Sequence, residues 1–276
     1  MRICKEVQNL KLKRKVERSG SSKITMLLLI AGILSLVFSM YSESQILALI
    51  GLGLTFWGAL FLLLKPVNFV EGSLLYNSAV STYLTIDRII GDFEYKGKGY
   101  YIPPYPKDVY LPDYLKGLKA SVVFISAEKD ATMPSIEEMA KGKFISRTPK
   151  GVLLTPPGLG ILTQIEEKLK LDFTKIELNE LCAVLPTLIL QDLNLAKEMA
   201  MELKGDQVHL KIVGSLYKDL YSVRNNFKSV DLLGCPIASA VACVLAETSG
   251  RTVTIQKKQV SPDGLAVDVW YRMVQG

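Results

Sequence analysis

Residues 232–250 have the sequence LLGCPIASAVACVLAETSG, and this stretch decides the fold class. Pro236 stands near its start and Gly250 at its end, positions where these two residues favour helix boundaries. Four alanines lie between them, and such small side chains let a helix backbone approach a neighbouring sheet closely. The alanines are Ala238, Ala240, Ala242 and Ala246. The stretch therefore predicts a helix packed closely on a sheet.

Alternating apolar and polar runs flank this helix on both sides. Residues 252–273 contain two such runs separated by Asp263-Gly264, a pair that favours a hairpin turn. Residues 199–212 contain two more, separated by Lys-Gly-Asp-Gln. Hairpins on either side of helices predict an α+β fold, with an antiparallel sheet and helices packed on one face.

Two uncharged apolar runs lie near the N-terminus. They are 24–40 (ITMLLLIAGILSLVFSM) and 46–64 (ILALIGLGLTFWGALFLLL). Each approaches the roughly 20 residues that cross the hydrocarbon core of a bilayer. We therefore expect 24–64 to form a transmembrane helical hairpin in the cell membrane. Residues 1–23 are rich in Lys and Arg and the short connection has neither, so both termini are predicted to be cytoplasmic.

Small residues recur at four-residue intervals in both apolar runs. They are Ala31, Ser35 and Ser39 in the first run, and Gly51, Thr55 and Ala59 in the second. An antiparallel pairing centred on residue 45 would place the two rows opposite each other. Such rows let helix backbones approach closely. We expect the two helices to pack along this seam, with a seam between subunits as the alternative.

The positive charge of the chain is concentrated in its basic N-terminal tail. Residues 1–23 hold eight basic and two acidic side chains, which account for the whole net charge of +6. The rest of the chain is balanced in charge, which argues against nucleic acid as a partner. The expected partner is the lipid bilayer, with other membrane proteins or a small hydrophobic ligand as further candidates. Residues 65–276 are predicted to be a cytoplasmic α+β region, either one domain or two subdomains at about 68–172 and 173–276.

Residues 70–90 repeat apolar side chains at three- and four-residue steps, which predicts an amphipathic helix. We interpret its apolar stripe as domain core rather than as a bilayer contact. Ionisable side chains near this helix are the candidates for an enzyme that acts on a membrane lipid or a lipid-linked substrate. They are Asp87, Arg88 and Asp92, together with Tyr100 or Tyr101.

Six of the twelve tyrosines lie within one short, proline-rich segment. They are Tyr95, Tyr100, Tyr101, Tyr105, Tyr110 and Tyr114. Tyrosine combines a large apolar ring with a hydroxyl group, which suits recognition surfaces. The segment is therefore a candidate surface for a ligand or partner. Structural packing of the tyrosines on the proline rings is the alternative.

Residues 155–160 (TPPGLG) connect a predicted strand to a predicted helix. Backbone N–H groups at such a helix start can hold an anion, which makes Gly158 and Gly160 a candidate anion site. The third glycine of a dinucleotide fingerprint is replaced by Thr163, and no phosphate-loop lysine follows. The two prolines also lack N–H donors. We therefore interpret the segment chiefly as a turn.

The chain has one histidine and four cysteines, and no two cysteines form a CxxC pair. This composition predicts no metal site, and no cofactor motif is present. The cysteines are expected to be buried free thiols. His209 falls on the polar face of an alternating run, so we expect it to be a solvated surface residue.

The C-terminal part of the chain carries a family resemblance. Gly-Cys-Pro at 234–236 enters a helix of small residues, and the Asp263-Gly264 hairpin then ends in VDVWYRM. Residues 234–274 thereby resemble the end of the 4-vinyl reductase / TRAPP-like ligand-binding superfamily. The resemblance implies a domain that encloses a small hydrophobic molecule or acts as a membrane-linked adaptor. The two apolar runs and the tyrosine-rich segment also resemble prokaryotic membrane proteins, including archaeal ones.

These features together favour a membrane-anchored, non-catalytic module that faces the cytoplasm. It would mediate an interaction or sense a small ligand. The alternative is an enzyme that acts on a membrane lipid or a lipid-linked substrate.

Overall fold

The computed structural model describes residues 26–63, 71–105, 119–129, 132–169, 172–222 and 227–274. The chain divides into two compact units, Met1–Phe69 and Val70–Gly276, which we name the hairpin unit and the sheet domain. The basic tail 1–23 lies outside the described residues, so the predictions made for it stay predictions.

Two antiparallel helices make up the described part of the hairpin unit. They are α1 (Met26–Ser42) and α2 (Gln45–Leu63). Their backbones touch at glycines. A Cβ atom added to Gly32 would lie 2.7 Å from the backbone nitrogen of Thr55, and one added to Gly51 would lie 2.9 Å from that of Leu36. Glycine permits this approach because it has no Cβ atom.

The predicted seam between these helices is partly wrong. Thr55 does face α1, but it lies against Gly32 rather than Ser35, and Ala59 is exposed. Ser35 instead donates its hydroxyl proton to the carbonyl oxygen of Leu47 at 3.2 Å. The difference arises because the closest approach follows the glycines, whereas the prediction treated all small residues alike.

Large apolar side chains cover the outer surface of the hairpin unit. Those more than 60% exposed include Leu27, Phe38, Leu49, Leu52 and Phe56. Within the described residues, the one helical stretch long and apolar enough to cross a membrane is Lys228–Ser249. Of its apolar 18-residue segment, 89% is buried inside the protein. That burial is typical of a core helix. Met26–Ser42 and Gln45–Phe61 are apolar helices of shorter length.

Strands from both halves of the sheet domain form one antiparallel sheet of eight strands. They are β1 (Gly99–Ile102), β2 (Val122–Ser126), β3 (Ile145–Arg147), β4 (Lys150–Leu154), β5 (Glu198–Lys204), β6 (Gln207–Val213), β7 (Thr252–Val260) and β8 (Ala266–Val274). Their order is β3-β4-β2-β1-β7-β8-β6-β5. Pairing of β1 with β7, with Tyr101 opposite Val253, joins the two halves. The α+β prediction is confirmed.

The helices of the sheet domain include one central helix that is almost wholly buried. They are α3 (Gly72–Asp92), α4 (Ile136–Ala140), α5 (Leu159–Leu169), α6 (Leu178–Thr187), α7 (Lys228–Leu233) and α8 (Pro236–Ser249), with short helical turns at Phe173–Lys175, Leu188–Asp192 and Lys218–Tyr221. α8 contacts β1, β7 and β8, and its residues are buried from Pro236 to Glu247. On α3, Tyr83, Ile86 and Ile90 are buried, which confirms the core interpretation of that helix.

Alternate residues of β8 lie on opposite faces of the sheet. Val267, Val269 and Tyr271 are buried towards α8, on what we call the helix side. Trp270 and Arg272 alternate with them and remain partly or fully exposed, on what we call the outer side. The period of two along a strand produces this division.

Candidate functional site

Four tyrosine hydroxyls converge on the segment that joins α7 to α8, on the helix side. Three donate to carbonyl oxygens and the fourth accepts an amide proton: Tyr83 to Gly234 (2.6 Å), Tyr101 to Leu233 (2.7 Å), Tyr271 to Ala238 (2.9 Å) and Tyr221 from Cys235 (2.8 Å). Burial raises the pKa of all four hydroxyls, so they stay neutral. The bonds to Leu233, Gly234 and Cys235 satisfy backbone groups that the helix ends leave unpaired, and the bond to Ala238 ties Tyr271 to the first turn of α8. This cluster therefore fixes the turn between the helices.

The described tyrosines of the tyrosine-rich segment do not share one surface. Tyr101 is buried on the helix side, whereas Tyr100 lies on the outer side with its ring centroid 6.4 Å from that of Phe124. Tyr95 is buried, and Tyr105 is 42% exposed. Two further predicted residues, Tyr110 and Tyr114, lie outside the described residues. Alternation along β1 separates adjacent tyrosines, which the sequence interpretation had grouped together.

Gly158 is a packing residue against α8. Its N–H donates to the hydroxyl of Ser239 at 3.0 Å, so this group is not available to an anion. A Cβ atom at this position would lie 2.0 Å from the backbone nitrogen of Ala240. Gly160 lies in the first turn of α5, is exposed, and has open space around it. The close contact between α5 and α8 thus explains Gly158 without a bound anion.

The ionisable residues named for a lipid enzyme are spread apart. Asp87 accepts the backbone amide proton of Ser229 at 2.6 Å, at the start of α7. Arg88 and Asp92 form an exposed ion pair along α3, with 3.8 Å between Nε and Oδ2. Tyr101 lies inside the domain. The Asp87 contact joins α3 to α7, and the named groups do not meet around one cavity.

The described cysteines are buried free thiols: Cys182, Cys235 and Cys243. Desolvation raises the pKa of each thiol, so none is an activated thiolate. In the part of the chain that the structure describes, no group of three His, Cys, Asp or Glu side chains could hold a metal ion.

His209 has a fixed carboxylate partner, which the sequence interpretation missed. Its Nε2 lies 2.7 Å from Oδ1 of Asp268, and its ring stacks on Trp270 with 4.7 Å between centroids. The ammonium group of Lys257 lies 5.0 Å from the centroid of the same indole. These residues come together because β6 and β8 pair with His209 opposite Trp270. Fifty-nine residues separate His209 from Asp268, so no local signal could have identified the pair.

A cavity of about 520 Å³ opens on the outer side of the sheet. Strands β1, β7 and β8 and the turn before β6 contribute its lining. The polar and aromatic side chains that line it include Lys98, Tyr100, Asp206, Arg251, Gln256 and Arg272. Its volume falls within the range of small-molecule sites, about 300–1,000 Å³. The cavity is open to solvent rather than enclosed, and its charged lining makes it the candidate ligand site.

Positive charge exceeds negative charge in this cavity. Arg251 donates to Asp206 at 2.7 Å, and this bond holds the pKa of the carboxyl below its usual range, with Arg272 adding to the effect. Within the described residues, Lys98 and Arg272 form no ion pair. Three cations facing one carboxylate leave an excess of two positive charges. Such a concave cationic site attracts anions.

Comparison with known proteins gives one match. Residues 4–271 match the model of the DUF7982 family, which is described as a domain of unknown function. No curated protein and no solved structure matches the chain. The match covers most of the chain and shows no link to the 4-vinyl reductase / TRAPP-like superfamily.

Proposed function

We propose that the chain, which belongs to the DUF7982 family, is a membrane-anchored module that binds a small anionic ligand without transforming it. The hairpin unit spans the membrane twice, and both termini are cytoplasmic. The sheet domain faces the cytoplasm and holds the ligand in the cavity on its outer side.

The surface of the hairpin unit supports the anchor. Helices α1 and α2 are about 25–28 Å long at 1.5 Å per residue, close to the 30 Å hydrocarbon core of a bilayer. Their exposed leucines and phenylalanines would be costly in water and are favourable in lipid. The basic residues before α1, and their absence from the connection, favour cytoplasmic termini.

The single observation that carries the ligand proposal is the cationic cavity. Lys98 and Arg272 face it without a direct ion pair to a carboxylate among the described residues, while the charge of Arg272 also acts on Asp206. The one lining carboxylate, Asp206, already binds Arg251. The site can therefore neutralise an anion. The resemblance of residues 234–274 to ligand-binding and adaptor proteins agrees with binding, although this cavity favours a polar ligand over a hydrophobic one.

The ligand proposal is tested with the full chain in mild detergent at low salt. Titration with inorganic pyrophosphate is expected to show one saturable site. Arg272→Gln should weaken binding by about tenfold to a hundredfold, because it removes one charge-assisted hydrogen bond. The matched control Lys257→Gln removes a cation from the same side of the sheet but outside the cavity, and should leave the affinity unchanged. Absence of binding, or equal losses in both variants, would contradict the proposal.

The anchor is tested separately by cysteine labelling in a Cys4→Ser background. A membrane-impermeant maleimide added to intact cells should label Ser42→Cys, which lies at the end of α1. It should label Gln259→Cys, an exposed residue of β7, only after the cells are permeabilised. Labelling of Gln259→Cys in intact cells would reverse the proposed orientation.

A further inference from the structure

The two edges of the sheet differ in length and regularity. Strand β3, at one edge, has three residues. Strand β5, at the other, has seven, and its pairing with β6 is unbroken from Glu198 to Lys204. Proteins usually protect an edge by shortness, a bulge, proline or charged residues. Of these, β5 has only charged residues. A helix can also cover an edge, and α6 packs against β5. Within the described residues, β6 is nevertheless the one strand neighbour of β5.

The charges along β5 have a symmetric arrangement. Glu198 stands at one end of the strand and Lys204 at the other, both exposed on the same side as Ala200 and Glu202. In a two-fold antiparallel pair the start of one strand lies opposite the end of the other. The strand is therefore complementary in charge to a second copy of itself.

We propose that two copies of this chain associate by antiparallel pairing of β5, centred on Met201. In this register Glu198 of each copy lies opposite Lys204 of the other. A shift of two residues in one direction would place Glu198 opposite Glu202, and a shift in the other direction would place Glu202 opposite itself. Like charges directly opposite each other are destabilising, so charge selects the central register.

Apolar side chains support the same register on the helix side of β5. Met199, Met201 and Leu203 are half-buried along this side. The pairing brings Met201 beside Met201 of the second copy, and Met199 beside its Leu203. Methionine adapts well to such contacts because its side chain is flexible and polarisable.

The existing ion pair of Lys204 does not oppose the association. Its ammonium group lies 3.2 Å from Glu202 of the same strand, and both side chains are largely exposed. Exposed pairs of this kind contribute little to stability. One strand pair is small beside the roughly 1,600 Å² of a standard stable interface, so a weak dimer is expected.

Crosslinking of the full chain in native membranes tests this proposal. In a Cys4→Ser background, Met201→Cys should form a crosslinked dimer under mild oxidation, because residue 201 lies on the two-fold axis. Gln259→Cys, which is exposed and away from this edge, is the control and should not crosslink. Adding Glu198→Lys to Met201→Cys creates two like-charge pairs and should lower the crosslinked fraction about tenfold.

The double charge swap separates this interface from other routes to a dimer. Glu198→Lys with Lys204→Glu restores opposite charges across the axis and should recover crosslinking. Both positions are exposed, so the unfolding temperature of each variant should match that of the parent. Failure of Met201→Cys to crosslink, or equal crosslinking by the single and double charge variants, would overturn the proposal.

Discussion

On the helix side of the sheet, each of four tyrosine hydroxyls has a backbone partner, whereas on the outer side Lys98 and Arg272 have no direct ion pair to a carboxylate among the described residues. Burial explains the difference. A buried polar group without a hydrogen bond costs free energy, which explains why the four clustered hydroxyls on the helix side are all hydrogen-bonded. Water satisfies the outer cations, which therefore remain available to a ligand. Polar residues stabilise the fold on the helix side, whereas those on the outer side are available to bind a ligand.

The largest expected effect is the loss of folding stability at high pH, which the buried tyrosines of the helix side should cause. Desolvation raises the pKa of the four clustered tyrosines above the usual value of 10.0. In the unfolded chain these tyrosines ionise near pH 10, whereas in the folded domain they stay neutral to higher pH. Their contribution to the free energy of unfolding is therefore complete below pH 10 and decreases as the pH rises above it. Circular dichroism and tyrosinate absorbance should therefore change together in the last stage of titration. Ionisation of all twelve tyrosines with unchanged circular dichroism would contradict this expectation.

Substitution of Gly158 should have the next largest effect. Gly158→Ala places a methyl group against the backbone of α8 and should destabilise the domain by about 3 kcal/mol. Gly160→Ala is the matched control, because open space surrounds it in the exposed first turn of α5. It should stabilise the helix by about 0.5–1 kcal/mol. Chemical denaturation measures both values, and equal effects would argue against the close α5–α8 contact.

Removal of one clustered hydroxyl should cost less. Tyr101→Phe leaves the carbonyl of Leu233 buried without its donor, at about 1–3 kcal/mol. Tyr105→Phe changes an exposed tyrosine and should alter stability by less than about 0.5 kcal/mol. Thermal unfolding compares the two variants. A small loss for Tyr101→Phe would mean that Leu233 finds another donor.

The smallest effect is expected on the outer side. Lys257→Met removes the cation near the indole of Trp270 and should destabilise the domain by about 0.5–1 kcal/mol. Gln259→Met, at a neighbouring exposed position of β7, controls for the new side chain. High salt should weaken the difference, which denaturation at two ionic strengths would measure. If Lys257→Met lowered the free energy of unfolding as much as Tyr101→Phe, the proposed difference between the two sides would be wrong.

Local signals predicted much of the sheet domain. Period-two alternation and turn residues identified the β5–β6 and β7–β8 hairpins, because neighbouring strands in sequence pair directly. Proline, alanine and glycine positions identified α8. These predictions succeeded because the spacing of apolar residues and the positions of proline and glycine within a segment indicate its burial and backbone conformation.

Contacts between distant segments were not predicted. Nothing in the sequence indicated that β1 lies between β2 and β7, an order that brings Lys98 near Arg272. The His209–Asp268 pair and the contact of Gly158 with α8 were missed for the same reason. Tyrosines adjacent in sequence were grouped as one surface because alternation had not been applied to β1.

The sequence alone determined the α+β class, the buried helix α8, the hairpins and the apolar character of α1 and α2, since periodicity and composition act within a segment. Strand order and register decided which hydroxyls meet which carbonyls, and which cations face the cavity. Those outcomes depend on the simultaneous packing of segments far apart in the chain, and a local pattern does not encode them.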